Sequence, residues 1–169
     1  MSKEQARLCA MKVLDAYADM QMPLDVVLLA SKLGYEVKQA NFKKDWISGG
    51  VNFFDNADDK QKGVIYVRAK EPPRRQRFTI AHEIGHCVMH RDIHKNGILE
   101  NIDMFRNPNN HSPEEVEANE FAANILMPED LVRTMWWRWG STEILASIFK
   151  VSLSAISYRL YNLGMKEDW

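Results

Sequence analysis

The chain has 169 residues, of which 46% are hydrophobic, so it can bury one sizeable core but is short for two domains. Because 27% of the residues are charged and the formal net charge is −1, no overall positive field attracts nucleic acid or an anionic membrane. The longest apolar runs, VVLLA and ILASIF, fall far short of the roughly 20 residues that span a bilayer, so we expect a soluble protein.

The cysteines and the N-terminal segment indicate the compartment. Cys9 and Cys87 are far apart in sequence and too few for a disulfide framework. The first twenty residues mix acidic and apolar residues at helical spacing, whereas a signal peptide has a basic start followed by an unbroken apolar run. We therefore expect a reduced protein in the cytoplasm.

The N-terminal third predicts two helices and a small sheet. The first helix should end near Met20. It is indicated by apolar residues at spacings of three and four, namely Leu8, Met11, Leu14 and Ala18. A second helix should run from Pro23 to Leu33 and stop at Gly34. The segments YEVKQANF, SGGVNFF and GVIYVR have short alternating or β-branched character, so we expect about three strands.

The rest of the chain is predicted to be helical, apart from one long polar loop. RRQRFTIAHEIGHCVMH has the apolar spacing of a core helix, and the loop follows between Arg91 and His111. SPEEVEANEFAANILM should form the next helix, with Ser112 as N-cap and Pro113 in its first turn. EDLVRTMWWRW predicts a helix that ends at Gly140, and two short helices should follow.

The stretch HEIGH carries the clearest chemistry. Residues four apart lie on one face of a helix, so His82 and His86 can both direct an imidazole at one zinc ion. Glu83 can then reach a water on the open side of the metal. The alternative is a buried helix whose histidines are hydrogen-bonded to backbone. His90 does not fit the third-ligand spacing of metzincins, so we expect it to support the site or line its rim.

A third ligand should come from the acidic helix downstream, because catalytic zinc sites with two histidines usually add a carboxylate. Four glutamates compete for this role: Glu114, Glu115, Glu117 and Glu120. Glu115 and Asn119 share a helix face, so one could bind zinc while the other hydrogen-bonds a ligand imidazole. Glu117 is the second choice. A capping box with Ser112 would explain Glu115 without any metal.

Two blocks, RFTIAHEIGHCVMH and EVEANEFAANILMP, together resemble the ImmA/IrrE family of zinc metallopeptidases and are far more specific than H-E-x-x-H alone. The flanking SKLGYEV and GVIYVR are similar to the family's layout, so the resemblance covers most of residues 1–130. It implies that the zinc ligands are His82, His86 and Glu115. It also implies that Glu83 is the catalytic glutamate and that Asn119 is a supporting residue. Asn124 replaces an acidic residue that many members carry, which should not affect the metal.

The resemblance also implies an activity and a partner. We expect a gluzincin-like zinc endopeptidase that cleaves a regulatory protein, namely a helix-turn-helix repressor of a mobile element or stress response. The alternative is an antirepressor or transcription regulator that acts by protein binding and keeps a non-catalytic zinc site. GVIYVR could align an extended substrate as an exposed strand. Several side chains could donate to the oxyanion: His90, His94, His111 and Tyr66.

The C-terminal segment ILASIFKVSLSAISYRLYNLG is similar to a helix-turn-helix, but few basic residues accompany it: Lys150, Arg159 and Lys166. We therefore expect these helices to pack or dock a partner, and we expect no direct nucleic-acid binding. The predicted fold is one α+β domain over residues 1–169. Its zinc peptidase core, residues 1–130, should pack a small, mostly antiparallel sheet on a zincin-like helical core. Residues 131–169 should form a helical extension.

Overall fold

The computed structural model describes residues 2–17, 21–54, 61–91 and 112–166. Within these ranges the chain forms seven helices and three strands, in the order α1 (Lys3–Tyr17), α2 (Val26–Lys32), β1 (Tyr35–Ala40), β2 (Gly49–Phe53), β3 (Gly63–Arg68), α3 (Pro73–Met89), α4 (Pro113–Leu126), α5 (Glu129–Trp139), α6 (Thr142–Phe149) and α7 (Leu153–Asn162). The predicted α+β class is confirmed. The loop predicted after Arg91 lies outside the described residues.

The three strands form a mixed sheet in the order β1-β3-β2. β3 pairs with β1 in parallel and with β2 in antiparallel orientation, so one of the two pairings departs from the expected mostly antiparallel pattern. Ile65, at the centre of β3, lies opposite Val37 on one side and Val51 on the other and is fully buried. GVIYVR is therefore the central strand. The hypothesis that it aligns substrate along a free edge is wrong, since both of its edges are already paired.

The first two helices are present, but their details differ from the prediction. The buried residues of α1 are Ala6, Ala10, Val13 and Leu14, whereas Leu8 and Met11 are each 46% exposed. Helix α1 packs against α4. Helix α2 begins at Val26 rather than Pro23, because the Asp25 carboxylate caps the N–H groups of Val27 and Leu28.

Helix α3 lies at the centre of the molecule. Every residue from Thr79 to Cys87 is buried, so the helix is enclosed on all sides rather than along one apolar face. Gly85 marks its closest contact with α4, because a Cβ atom there would lie 3.3 Å from the Cα of Ala118 and 3.2 Å from the Phe121 ring. The missing side chain lets the two helix backbones approach closely.

The C-terminal helices pack into the same hydrophobic core as α3 and α4 through Leu145, Phe149, Ile156 and Leu160. Helix α5 ends, as expected, at Gly140, whose φ of 57° is left-handed. The guanidinium of Arg159 is buried and donates to the side-chain oxygen of Asn124 at 2.7 Å and to the carbonyl of Met127 at 3.1 Å. Arg159 therefore joins α7 to α4 and does not present its charge to a partner. In the described part of the chain, none of the helices combines the length and apolarity required to cross a bilayer.

Candidate metal centre

Helix α3 contributes two imidazoles to the site. His82 and His86 lie one helical turn apart and are 6% and 8% exposed. Their Nε2 atoms are 3.1 Å apart, and the two rings meet edge to face. The opposite nitrogen of each ring also faces a side chain. The structure therefore does not match the alternative in which these histidines are ordinary core residues bonded to backbone.

Helix α4 adds a carboxylate to this pair. The two carboxylate oxygens of Glu115 lie 3.3 Å from Nε2 of His82 and 3.2 Å from Nε2 of His86. Ser112 caps α4 as predicted, by accepting the backbone N–H of Glu115 at 3.3 Å. Cap and carboxylate thus use different atoms of Glu115: its backbone N–H is held by the serine, and its side chain is directed to the imidazoles.

The three side chains form a donor set, in which the distances between the donor atoms match those between the ligands of a zinc ion. Ligands held about 2.0–2.1 Å from a tetrahedral ion are separated by about 3.3 Å from one another. The observed separations among the three donor groups are 3.1, 3.2 and 3.3 Å. Among the described residues, His82, His86 and Glu115 form the one group of at least three histidine, cysteine or acidic side chains that could hold a metal. Cys9 and Cys87 are not part of it.

Further contacts set which ring nitrogens can bind a cation. Nδ1 of His82 lies 3.0 Å from the side-chain oxygen of Asn119. Because a carbonyl oxygen only accepts, the proton of His82 resides on Nδ1 and its Nε2 lone pair faces Glu115 and His86. Without a cation, this lone pair would lie against another nitrogen and a carboxylate. The donor set therefore fits a metal ion such as zinc, held by one anionic and two neutral ligands.

His86 is supported through a longer chain of contacts. Its Nδ1 lies 3.1 Å from Nδ1 of His90, and Nε2 of His90 lies 2.9 Å from a carboxylate oxygen of Glu117. His90 and Glu117 are 2% and 3% exposed. Glu117, the second choice as third ligand, is therefore placed against His90 rather than in the donor set. The spacing of four between His86 and His90 indicated the first contact, but no sequence signal indicated the second.

Burial and ring contacts act on the charges of the site. Burial alone would raise the pKa of Glu115, but in the metal-free protein protonation of the facing His82 and His86 rings outweighs it and holds that pKa well below its ordinary value. Burial lowers the pKa of His90, against the opposing effect of the Glu117 carboxylate. The site thus combines a carboxylate that stays ionised with an imidazole that stays neutral.

The structure describes some of the remaining predicted residues and not others. Glu83 lies between the two histidines on α3 and is 2% exposed. Tyr66 lies on β3 and is partly buried. Two other predicted oxyanion donors, His94 and His111, lie outside the described residues. The structure brings together His82, His86, Glu115, Asn119 and His90, and leaves the oxyanion donor unassigned.

Known proteins are similar to this chain over most of its length. Residues 30–161 match the model of the IrrE N-terminal-like domain, Peptidase_M78. The chain is 37% identical over 111 residues to the radiation response metalloprotease IrrE of Deinococcus radiodurans, a match that covers 64% of this chain and 33% of the relative. It is 34% identical over 112 residues to the protein of the same name from Deinococcus deserti, which covers 65% and 39%. The chain thus matches little more than a third of these relatives' length.

A solved structure shows the same fold. A Mycobacterium tuberculosis transcriptional regulator superposes with a TM-score of 0.60 over 94% of this chain and 46% of that one, at 16% identity. At this identity the similarity concerns the fold alone. The family match spans most of the chain and includes both helices of the donor set. This chain therefore belongs to the IrrE N-terminal-like, Peptidase_M78 family.

Proposed function

We propose that this protein is a zinc-dependent endopeptidase that cleaves a regulatory protein. The observation that carries the proposal is the convergence of His82, His86 and Glu115 on one point, with Glu83 between the two histidines on α3. Structural zinc sites usually fill all four positions with cysteine or histidine. A two-histidine, one-carboxylate set instead leaves a position open, as in catalytic sites.

Each residue has a distinct role in this mechanism. When bound, zinc supplies Lewis acidity that polarises a peptide carbonyl and makes water more acidic. Glu83 takes the proton of the attacking water on its carboxylate and returns it to the leaving amine. Asn119 holds the proton of His82 on Nδ1, so that Nε2 keeps its lone pair for the metal. His90 has the corresponding contact with His86.

The substrate that we propose is a helix-turn-helix repressor of a mobile element or stress response. The resemblance of the two signature blocks to ImmA/IrrE peptidases supports this substrate. The name of the Deinococcus relatives, which refers to a radiation response, supports a role in a stress response. We propose a cytoplasmic location for the enzyme. This location is supported by Cys9 and Cys87, which are both free thiols in the described part of the chain.

Strand β2 replaces β3 as the strand that we propose to align the substrate. Backbone hydrogen bonds join Ser48 to Arg68 and Phe54 to Lys62 at the two ends of the antiparallel pair. Because such pairs alternate, the N–H and C=O groups of Val51 point away from β3. Val51→Pro removes one outward donor, and we expect KM to rise several-fold with kcat nearly unchanged. An unchanged KM would refute this role of β2.

We also propose that residues 131–169 extend the peptidase core within a single domain. Buried side chains of α6 and α7 belong to the same core as α3 and α4, and buried Arg159 joins α7 to α4. Truncation after residue 130 would remove the donor Arg159 from Asn124 and Met127 and would remove the buried side chains of α6 and α7 from the shared core. We expect this truncated chain to unfold or aggregate, as judged by circular dichroism. A folded, zinc-binding fragment would contradict the single-domain proposal.

The decisive experiment compares the wild type with Glu83→Gln. Each zinc-loaded protein is incubated with the helix-turn-helix repressor encoded beside its gene, and products are measured by intact mass. We expect discrete fragments from the wild type alone, with equal zinc content in both proteins, because Glu83 is not part of the donor set. Glu120→Gln is the matched control, since it removes a carboxylate of α4 that contacts Asn124 and Arg159.

The outcomes separate the two functions. Cleavage by wild type and Glu120→Gln, but not by Glu83→Gln, would establish a metallopeptidase and locate the cut. If every zinc-loaded variant leaves the repressor intact but still binds it, the protein acts by binding and its zinc site is not catalytic.

A further inference from the structure

Beyond the donor set, two buried side chains form a continuous hydrogen-bonded chain with His86. His90 is the C-cap residue of α3, and its backbone N–H bonds the carbonyl of His86 at 2.9 Å. Its imidazole lies between Nδ1 of His86, at 3.1 Å, and a carboxylate oxygen of Glu117, at 2.9 Å. His90 and Glu117 are 2% and 3% exposed, so water does not compete for these contacts. The chain crosses from α3 to α4.

The direction of each hydrogen bond follows from the last member of the chain. An ionised carboxylate only accepts, so Nε2 of His90 donates to Glu117 and carries the ring proton. Nδ1 of His90 is then an acceptor, and the proton between the two rings must belong to Nδ1 of His86. This leaves the Nε2 lone pair of His86 directed at Glu115 and His82. If His90 instead carried its proton on Nδ1, His86 would be protonated on Nε2 and could not bind a metal.

We propose that Glu117 and His90 are a positioning pair that holds His86 in its metal-binding tautomer and orientation. This inference rests on the proposed metal site. The two ligand histidines are thus supported differently: His82 by the neutral amide of Asn119, and His86 by an imidazole backed by a carboxylate. When a carboxylate accepts the proton of one imidazole nitrogen, the other nitrogen of that imidazole becomes a better acceptor. The carboxylate of Glu117 therefore makes Nδ1 of His90 a better acceptor, and this raises the basicity of the His86 ring that donates to it. Glu117 therefore acts on the metal through two rings without touching it.

The first test is zinc affinity, measured by competition with a chromogenic chelator. Losing such a supporting contact typically weakens metal binding about ten- to a hundredfold. We expect His90→Phe to fall near the upper end of this range. Glu117→Gln should weaken binding about tenfold, because the amide oxygen still accepts the His90 proton but has lost its charge. His90→Gln should recover part of the affinity, since its amide can accept from His86 and donate to Glu117.

A double variant shows whether the two residues act in series. If Glu117 acts only through His90, then adding Glu117→Leu to His90→Phe should weaken zinc binding no further. Adding Asn119→Ala to His90→Phe should weaken it further, because Asn119 supports the other ligand. Glu120→Gln, on the same helix, should bind zinc like the wild type. The cobalt-substituted proteins provide a spectroscopic signature: the visible bands of His90→Phe should shift, and those of Glu120→Gln should not.

The wild type alone provides an independent test by nitrogen-15 NMR of histidine-labelled protein. In the zinc-loaded state we expect the His90 proton on Nε2, and the His82 and His86 protons on Nδ1. A His90 proton on Nδ1 would overturn the proposal, and so would Glu117→Gln and His90→Phe binding zinc within twofold of the wild type. None of these measurements requires a substrate. A protein that binds zinc but cleaves nothing would therefore refute the endopeptidase and leave the positioning pair to stand or fall on its own data.

Discussion

Gly85 controls the distance between the two helices that carry the donor set, and Gly85→Ala should change both stability and metal binding. The added Cβ would lie 3.2 Å from Cδ1 of Phe121 and 3.3 Å from the Cα of Ala118. Ordinary carbon contacts are about 3.5–4.0 Å, so α4 must move by a few tenths of an ångström. Phe121 is fully buried and Ala118 presents backbone, so neither can move independently of α4.

The stability change is the difference of two effects. Overpacking a core typically costs about 1–3 kcal/mol. Replacing glycine by alanine within a helix returns about 1 kcal/mol. We therefore expect a net loss of roughly 0–2 kcal/mol in the free energy of unfolding, measured by urea denaturation of the metal-free protein.

The effect on zinc should be clearer than the effect on stability. Ala118 is one turn from Glu115, so the displacement of α4 moves the carboxylate away from His82 and His86. If about 1.4 kcal/mol of strain reaches the donor set, zinc affinity falls about tenfold. Gly140→Ala is the control: nothing lies within 4 Å of its Cβ position, but its φ of +57° imposes a backbone cost of about 1–2 kcal/mol. We expect normal zinc affinity for this control. Equal zinc affinity of Gly85→Ala and wild type would refute the idea that this contact positions Glu115.

Three further predictions concern capping, a buried cation and thiol reactivity. Ser112→Ala removes the cap of the Glu115 N–H and should cost about 1 kcal/mol, seen as a fall of about 2–4 °C in Tm; an unchanged Tm would contradict the cap's role. Arg159→Met removes the donor to the side-chain oxygen of Asn124 and to the carbonyl of Met127. It should lower the free energy of unfolding by about 2–4 kcal/mol, measured by urea denaturation, and a loss below about 1 kcal/mol would contradict this role. Burial raises the pKa of both Cys87 and Cys9, and Cys87 is the more deeply buried, so little thiolate forms at pH 8. Iodoacetamide should modify Cys9 slowly and Cys87 only after unfolding, as measured by peptide mass; rapid labelling of native Cys87 would show that the residue is accessible.

Much of the local structure could be predicted because it depends on residues close in sequence. The position of α4 after its cap at Ser112 and the end of α5 at Gly140 follow from single residues that satisfy helix ends. The predicted start of α2 at Pro23 is too early, because Pro23 suits a first turn but the Asp25 carboxylate provides the actual cap. The exposed Leu8 and Met11 show a different failure. Helical spacing identifies candidate faces of α1, but the buried alanines Ala6 and Ala10 give a weaker apolar signal than the larger side chains.

The same distinction explains the sheet. Strand character along GVIYVR was visible in the sequence, but not its place between β1 and β2. Edge and central positions depend on which segments pair, and pairing joins residues far apart in the chain. The parallel pairing of β1 with β3 is likewise a property of the assembled sheet.

At the candidate site, the spacing along the chain already places His82 and His86 on one helix face with Glu83 between them, because a helical turn sets that spacing. The choice among the competing glutamates depends on how α3 and α4 pack. Glu115 and Glu117 are two residues apart and point in different directions from α4, and the packing of α4 against Gly85 brings the first to the histidine pair and the second to His90. Local spacing determines what one helix can present. Which groups meet across two helices depends on their contact, which is a property of the packed core.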